Sequence, residues 1–86
     1  MIRNTKNNQE WIARKICWHP EGYKVSSAVR SLCAKFRVKK GEAEHVLALI
    51  VAKGWADIKE TSPYDINLMP TKKYEKYMDE NNIIPF

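Results

Sequence analysis

Residues 26–55, SSAVRSLCAKFRVKKGEAEHVLALIVAKGW, decide the fold of this chain. They read as two amphipathic helices joined by a tight turn. In the first half, Val29, Leu32, Cys33 and Phe36 recur at intervals of three, one and three, which is one face of a 3.6-residue repeat. Arg30, Ser31, Lys35 and Arg37 fall largely outside that stripe. Val25 precedes Ser26, whose hydroxyl can accept from a free amide of the first turn, so this helix is expected to start near Ser26.

The second helix is expected to begin at Gly41, an acceptable N-cap, with Glu42 and Glu44 in a first turn that favours negative charge. Ala43, Val46, Leu47 and Ile50 form its inward stripe, and Gly54 suits the left-handed position just past its end. Val38, between the helices, would plug the angle they make. Beyond that stripe, Ala48, Leu49, Val51 and Ala52 leave only Glu44, His45 and Lys53 to interrupt an apolar run. A helix apolar nearly all round is normally covered on more than one side.

Towards the C-terminus, alternation over residues 56–59 and 64–68 predicts two strands with Ile58, Ile66 and Leu68 facing inward. The turn-rich Glu60, Thr61, Ser62 and Pro63 between them make a hairpin, with Pro63 at the tip or an edge because it cannot donate to a ladder. A last helix is expected over residues 71–81, with Tyr74, Tyr77 and Met78 on one side and Lys72, Lys73 and Lys76 on the other. Ile83, Ile84 and Phe86 would be wasteful in a free tail, so they are expected to pack on the domain or on a second copy.

Towards the N-terminus, residues 1–8 are polar and without periodicity, which predicts a mobile arm. A helix over residues 9–18 would turn Trp11, Ile12 and Ile16 inward and Arg14 and Lys15 outward, and Pro20 would stop it. His19, Pro20, Glu21 and Gly22 form a turn by composition. The expected organisation is an arm over 1–8, one domain over 9–82 and an apolar tail over 83–86.

The patterns V-S-S-x-V-x-x-L-x-x-x-F-x-V from Val25, L-x-x-I-x-x-K-G-W from Leu47 and I-N-L-M-P-T-K-K-Y from Ile66 together resemble the winged helix-turn-helix superfamily of DNA-binding domains. The resemblance spans residues 9–79 and rests on order and spacing. It implies a mainly α, α+β fold: a three-helix core, a β-hairpin wing and an additional C-terminal helix. It also implies a short strand at Tyr23, Lys24 and Val25 that pairs with the wing.

Eighty-six residues allow one domain, which buries about 60–65% of its unfolded surface, so stability should be modest. The net charge of +5 and a pI near 9.3 favour an anionic partner. Cys17 and Cys33 are too few for a disulfide framework, and a zinc site would need Cys17, His19, Cys33 and His45 to converge without any C-x-x-C pair. No metal or cofactor is expected. With no apolar signal run and no stretch of the ~20 apolar residues that a membrane span needs, a reduced cytoplasmic protein is expected.

No G-x-S-x-G, H-E-x-x-H or glycine-rich phosphate loop is present, and three glycines offer little backbone cradling, so the chain is not expected to be an enzyme. The resemblance implies binding of double-stranded DNA, with the second helix of the pair in the major groove. By position it assigns Arg37, Lys39 and Lys40 to phosphates, Ser27 and Arg30 to further backbone contacts, and His45 to a base edge. Lys59 and Tyr64 on the hairpin would flank the duplex, and Lys53 is a further candidate. Such a protein, which could pair as a homodimer, would serve as a transcriptional regulator of phage or plasmid type. The alternative is a protein-interaction module, a subunit or inhibitor of a nucleic-acid-processing complex. It would use the apolar face at Leu49, Val51 and Ala52, with Ile84 and Phe86 as further apolar candidates.

Overall fold

The computed structural model describes residues 5–62 and 65–84, without the side chains of residues 5, 61 and 62. In chain order the elements are α1 (Thr5–Cys17), β1 (Tyr23–Lys24), α2 (Val25–Phe36), α3 (Lys40–Ala52), β2 (Ala56–Ser62), β3 (Asp65–Pro70) and α4 (Lys72–Glu80). Helices predominate over one small antiparallel sheet of order β1-β3-β2. The α+β class and the hairpin expected after residue 55 are both present.

The sheet closes on the helices through β3. Tyr23 stands opposite Leu68 and Lys24 opposite Asn67, while Ala56 pairs with Pro70 and Ile58 with Leu68. The ladder slips between Glu60 and Ser62. Beneath the sheet, Ile12 and Ile16 of α1, Leu32 of α2 and Ile50 of α3 are fully buried around Leu68 and Tyr74. Each such aliphatic side chain contributes about 1.5–3 kcal/mol by leaving water. On α2 the deepest positions are Ala28 and Leu32, and Val29, Cys33 and Phe36 only border the core.

Helix starts depart from the expected positions for identifiable reasons. The helical chain is already under way at Thr5, and Asn8 and Gln9 are buried, so residues 5–8 are not part of the arm expected over 1–8; residues 1–4 lie outside the described residues. Lys24 still pairs in the sheet, so α2 begins at the next residue, Val25; Lys24 takes the cap position without a side-chain bond and Ser26 lies inside the helix. Lys39, extended at φ −78° and ψ 161°, caps α3, and its carbonyl receives the first helical bond from the Ala43 amide at 3.0 Å. Gly41 is therefore a helical residue.

The ends follow left-handed residues. Gly54, at φ +82°, ends α3: its amide donates to the Val51 carbonyl, and the Trp55 amide to the Ile50 carbonyl at 2.9 Å, the paired bonds of a Schellman motif. Asn82, at φ +54°, repeats this after α4, where the Ile83 amide reaches the Met78 carbonyl at 2.9 Å. Arg37 ends α2 at φ +54°, a left-handed role given to a residue with a Cβ. Thr71 caps α4 by accepting from the Tyr74 amide and donating its hydroxyl to the Gly54 carbonyl at 2.7 Å.

Two inward expectations on the hairpin fail. Leu68 is buried, but Ile58 is 55% exposed and Ile66 39% exposed. The register puts all three on one face, yet only the inner half of that face, at Ala56 and Leu68, lies over the helices. Of the tail, Ile83 packs against the core while Ile84 is exposed, its carbonyl accepting from the Arg14 guanidinium at 2.8 Å. No described helix is long and apolar enough to cross a membrane.

Candidate functional site

Charge is strongly segregated along this chain. Between Gly22 and Gly41 there is no carboxylate, and the stretch carries six cations, Lys24, Arg30, Lys35, Arg37, Lys39 and Lys40. The rest of the chain carries nine cations against ten carboxylates, so the whole positive excess sits on β1, α2 and the turn into α3. All six are exposed. Lys24 lies 3.8 Å from Asp65, whereas among the described residues no ion pair holds Arg30, Lys35, Arg37, Lys39 or Lys40. Lys24 and Lys35 were missed by pattern reading, although a count of missing carboxylates along the sequence would have found them.

The amino ends of α2 and α3 open on one cleft of about 500 Å³, lined by Lys24, Val25, Ser26, Lys40, Glu44 and Ile66 among others. Neither cap residue, Lys24 or Lys39, bonds its helix's first turn through its side chain, and the amino end of a helix favours an anion. On α3 the side opposite the core carries Gly41, His45, Ala48 and Ala52, all exposed. His45 is thus one of few polar groups on a face of small side chains. Glu42 is half-buried, and Glu44 turns toward the cleft.

Other expected site residues are placed differently. Lys53 is committed within the chain: its ammonium donates to Gln9 Oε1 at 2.6 Å and stands 4.2 Å from the centre of the Trp55 ring. Lys59 is exposed opposite Asn67, and strand alternation puts it on the sheet face away from Ile58. Tyr64 lies outside the described residues.

The apolar candidates are partly gathered. Val51 and Ala52 line a groove of about 440 Å³ between α3 and the hairpin, with Ala48, Leu47, Ile58 and Leu68. Leu49, half-buried, is not among the groove's lining residues, and Ile84 lies against Arg14 of α1. Phe86 lies outside the described residues. These residues do not make one surface, because 100° per residue sends Leu49 to the far flank of α3 from the hairpin.

Behind the helices, a polar seam is structural. The Tyr77 hydroxyl donates to Glu10 Oε1 at 2.6 Å and the Tyr74 hydroxyl to the Glu10 carbonyl at 3.2 Å, tying α4 to α1. That bond to Glu10 raises the Tyr77 phenol, and burial raises Tyr74. Burial, aided by Glu75, pushes the Cys17 thiol up from 9.0 to about 11. A thiol held protonated is a poor nucleophile and a poor metal ligand. Among the described residues no group of three His, Cys, Asp or Glu side chains could hold a metal ion.

No protein-family model, curated protein or solved structure matches this chain.

Proposed function

We propose that this protein is a small sequence-specific double-stranded DNA-binding protein of winged-helix layout, acting as a transcriptional regulator by occupying its site. The observation that carries this reading is the segregation of the entire positive excess onto β1, α2, the α2–α3 turn and the first residue of α3, where five of six cations have no ion-pair partner among the described residues. Unpaired cations in one contiguous stretch are what a phosphate backbone recruits.

In this reading α3 enters the major groove by its amino-terminal half. Gly41 allows close approach, His45 meets a base edge, and Glu44 can accept from a cytosine amino group. Arg30, Arg37, Lys39 and Lys40 hold flanking phosphates, aided by the positive amino ends of α2 and α3. Lys59 and the hairpin flank the duplex. The test is a duplex titration at several salt concentrations: affinity falls steeply with salt, and Lys39→Ala with Lys40→Ala lowers the salt slope by about two. Salt-independent binding, or none at low salt, refutes it.

One observation favours a second reading. Ile58 and Ile66 stand exposed beside an apolar groove, a pattern that suits an apolar helix of a partner protein laid against Ala48 and Ala52. Ala52→Glu and Ile58→Glu then abolish the complex while the unfolding midpoint holds, because both positions are exposed. If these variants instead bind duplex DNA like the parent and no partner complex is lost, the second reading fails.

A further inference from the structure

A second surface, along the carboxyl-terminal half of α1, is built from rings. Trp11, Lys15, Trp18 and His19 line a cavity of about 260 Å³ at the carboxyl end of α1. Trp18 is 57% exposed, a large apolar ring left in water. Its backbone is held nonetheless, since the Trp18 amide donates to the Lys15 carbonyl at 3.1 Å and the His19 amide to the Ile16 carbonyl at 2.9 Å.

The other rings are braced from behind. Trp11 meets Phe36 edge-on, with centroids 5.5 Å apart. His19 stacks on Tyr23 at 4.6 Å and 11°, and the Tyr23 hydroxyl shares a 2.7 Å hydrogen bond with Ser31. Lys15 carries its ammonium 5.0 Å from the Trp11 ring centre, at the rim of the cavity. Phe36, which supports Trp11, is flanked in the chain by the exposed cations Lys35 and Arg37. The Lys15 ammonium therefore adjoins the rings, Lys35 and Arg37 are neighbours of Phe36 in the chain, and one carboxylate, Glu21, stands 3.8 Å from His19.

We infer that this cavity is a stacking site for an unpaired nucleobase of single-stranded nucleic acid, the base lying against the Trp18 indole and its phosphates meeting Lys15 and the cations beside Phe36. Charge chooses the ligand. An aromatic pocket that bound a quaternary ammonium would not carry a lysine at its rim, and a proline-rich peptide would gain nothing from the cations next to it. A polyanion of planar π-faced units satisfies both features. The inference does not require duplex binding by α3, because Trp11, Trp18 and Lys15 take no part in that reading and Arg37 alone is shared.

Intrinsic fluorescence with an oligothymidylate at low salt tests it. Trp55 is buried against Tyr74, so Trp11 and Trp18 report the ligand. Binding quenches the emission, and Trp18→Ala weakens it about tenfold while Trp18→Phe largely retains it. Both variants keep the parent unfolding midpoint, and neither changes duplex affinity. Absence of quenching, equal affinity for a base-free sugar-phosphate oligomer, or unaltered affinity in Trp18→Ala overturns the site. Quenching by oligoproline in place of oligothymidylate reassigns it to peptide, and a parallel loss of duplex binding in Trp18→Ala merges it with the α3 surface; either result overturns the proposal.

Discussion

The ammonium of Lys53, at the end of α3, donates a 2.6 Å hydrogen bond to the side-chain oxygen of Gln9 in α1, 44 positions earlier. The same ammonium stands over the Trp55 ring, so one cation joins the first helix, the third helix and the start of the hairpin. Lys53→Ala is expected to lower stability by about 1 kcal/mol, the scale of a charged hydrogen bond discounted for partial exposure. Its effect on the salt slope of duplex binding should be nil. Denaturant unfolding alongside a salt titration separates the two, and a slope reduced by one unit would return Lys53 to the phosphate-binding set.

Arg37 gives effects of opposite sign. Held at φ +54°, it occupies a backbone region that glycine enters without steric cost. Arg37→Gly should therefore raise stability by about 0.5–1 kcal/mol while removing one phosphate contact and about one unit of salt slope. Thermal unfolding and duplex titration of the one variant check both parts. A loss of stability would mean that the Arg37 side chain, and not its backbone, holds the turn.

Glycine-to-alanine exchange should change sign between the first turn of α3 and the left-handed residue past its end. Gly41 is helical with open space where a Cβ would stand, so Gly41→Ala is expected to stabilise by about 0.5–1 kcal/mol. Gly54 needs φ +82°, and a Cβ there would meet Lys73 Cδ at 3.1 Å. Lys73 can swing aside, but the backbone cannot, so Gly54→Ala should cost about 1–2 kcal/mol. If Gly41→Ala is destabilising, Gly41 and not Lys39 is the cap.

Alkaline pH should loosen the α1–α4 contact. The folded state raises the Cys17 thiol from 9.0 to about 11, so its contribution to stability is complete below about 9 and is lost as pH rises from there through about 11. Tyr77 and Tyr74 are raised as well, so they extend the loss above the ordinary phenol range. Denaturant midpoints measured from pH 8 to pH 11 follow this fall. Cys17→Ala should remove its first part, and a midpoint flat over that interval in the parent would contradict the burial argument.

Elements whose signal is local were legible. The stripe Ala43, Val46, Leu47 and Ile50 is the buried face of α3, Gly54 is its left-handed end, and Tyr74 and Met78 are the buried residues of α4. Starts were less legible: Ser26 and Gly41 have the right cap chemistry, but neighbouring strand pairing at Lys24 and the extended Lys39 settle where each helix begins. Among candidate contacts, Lys39 and Lys40 stayed exposed, whereas Lys53 proved to be engaged by a glutamine far away in the chain.

By itself the sequence determined the helices, the hairpin and the segregation of charge, because periodicity, turn residues and ionisable groups act over a few neighbouring positions; the short strand at Tyr23 and Lys24 was implied by the resemblance alone. Only the tertiary structure decided which apolar residues reach the core. Ile58 and Leu68 face each other across one ladder, yet one is 55% exposed and the other 1%, since burial depends on how far the helices extend beneath the sheet. Strand alternation specifies a face; the reach of a distant neighbour decides whether that face is covered.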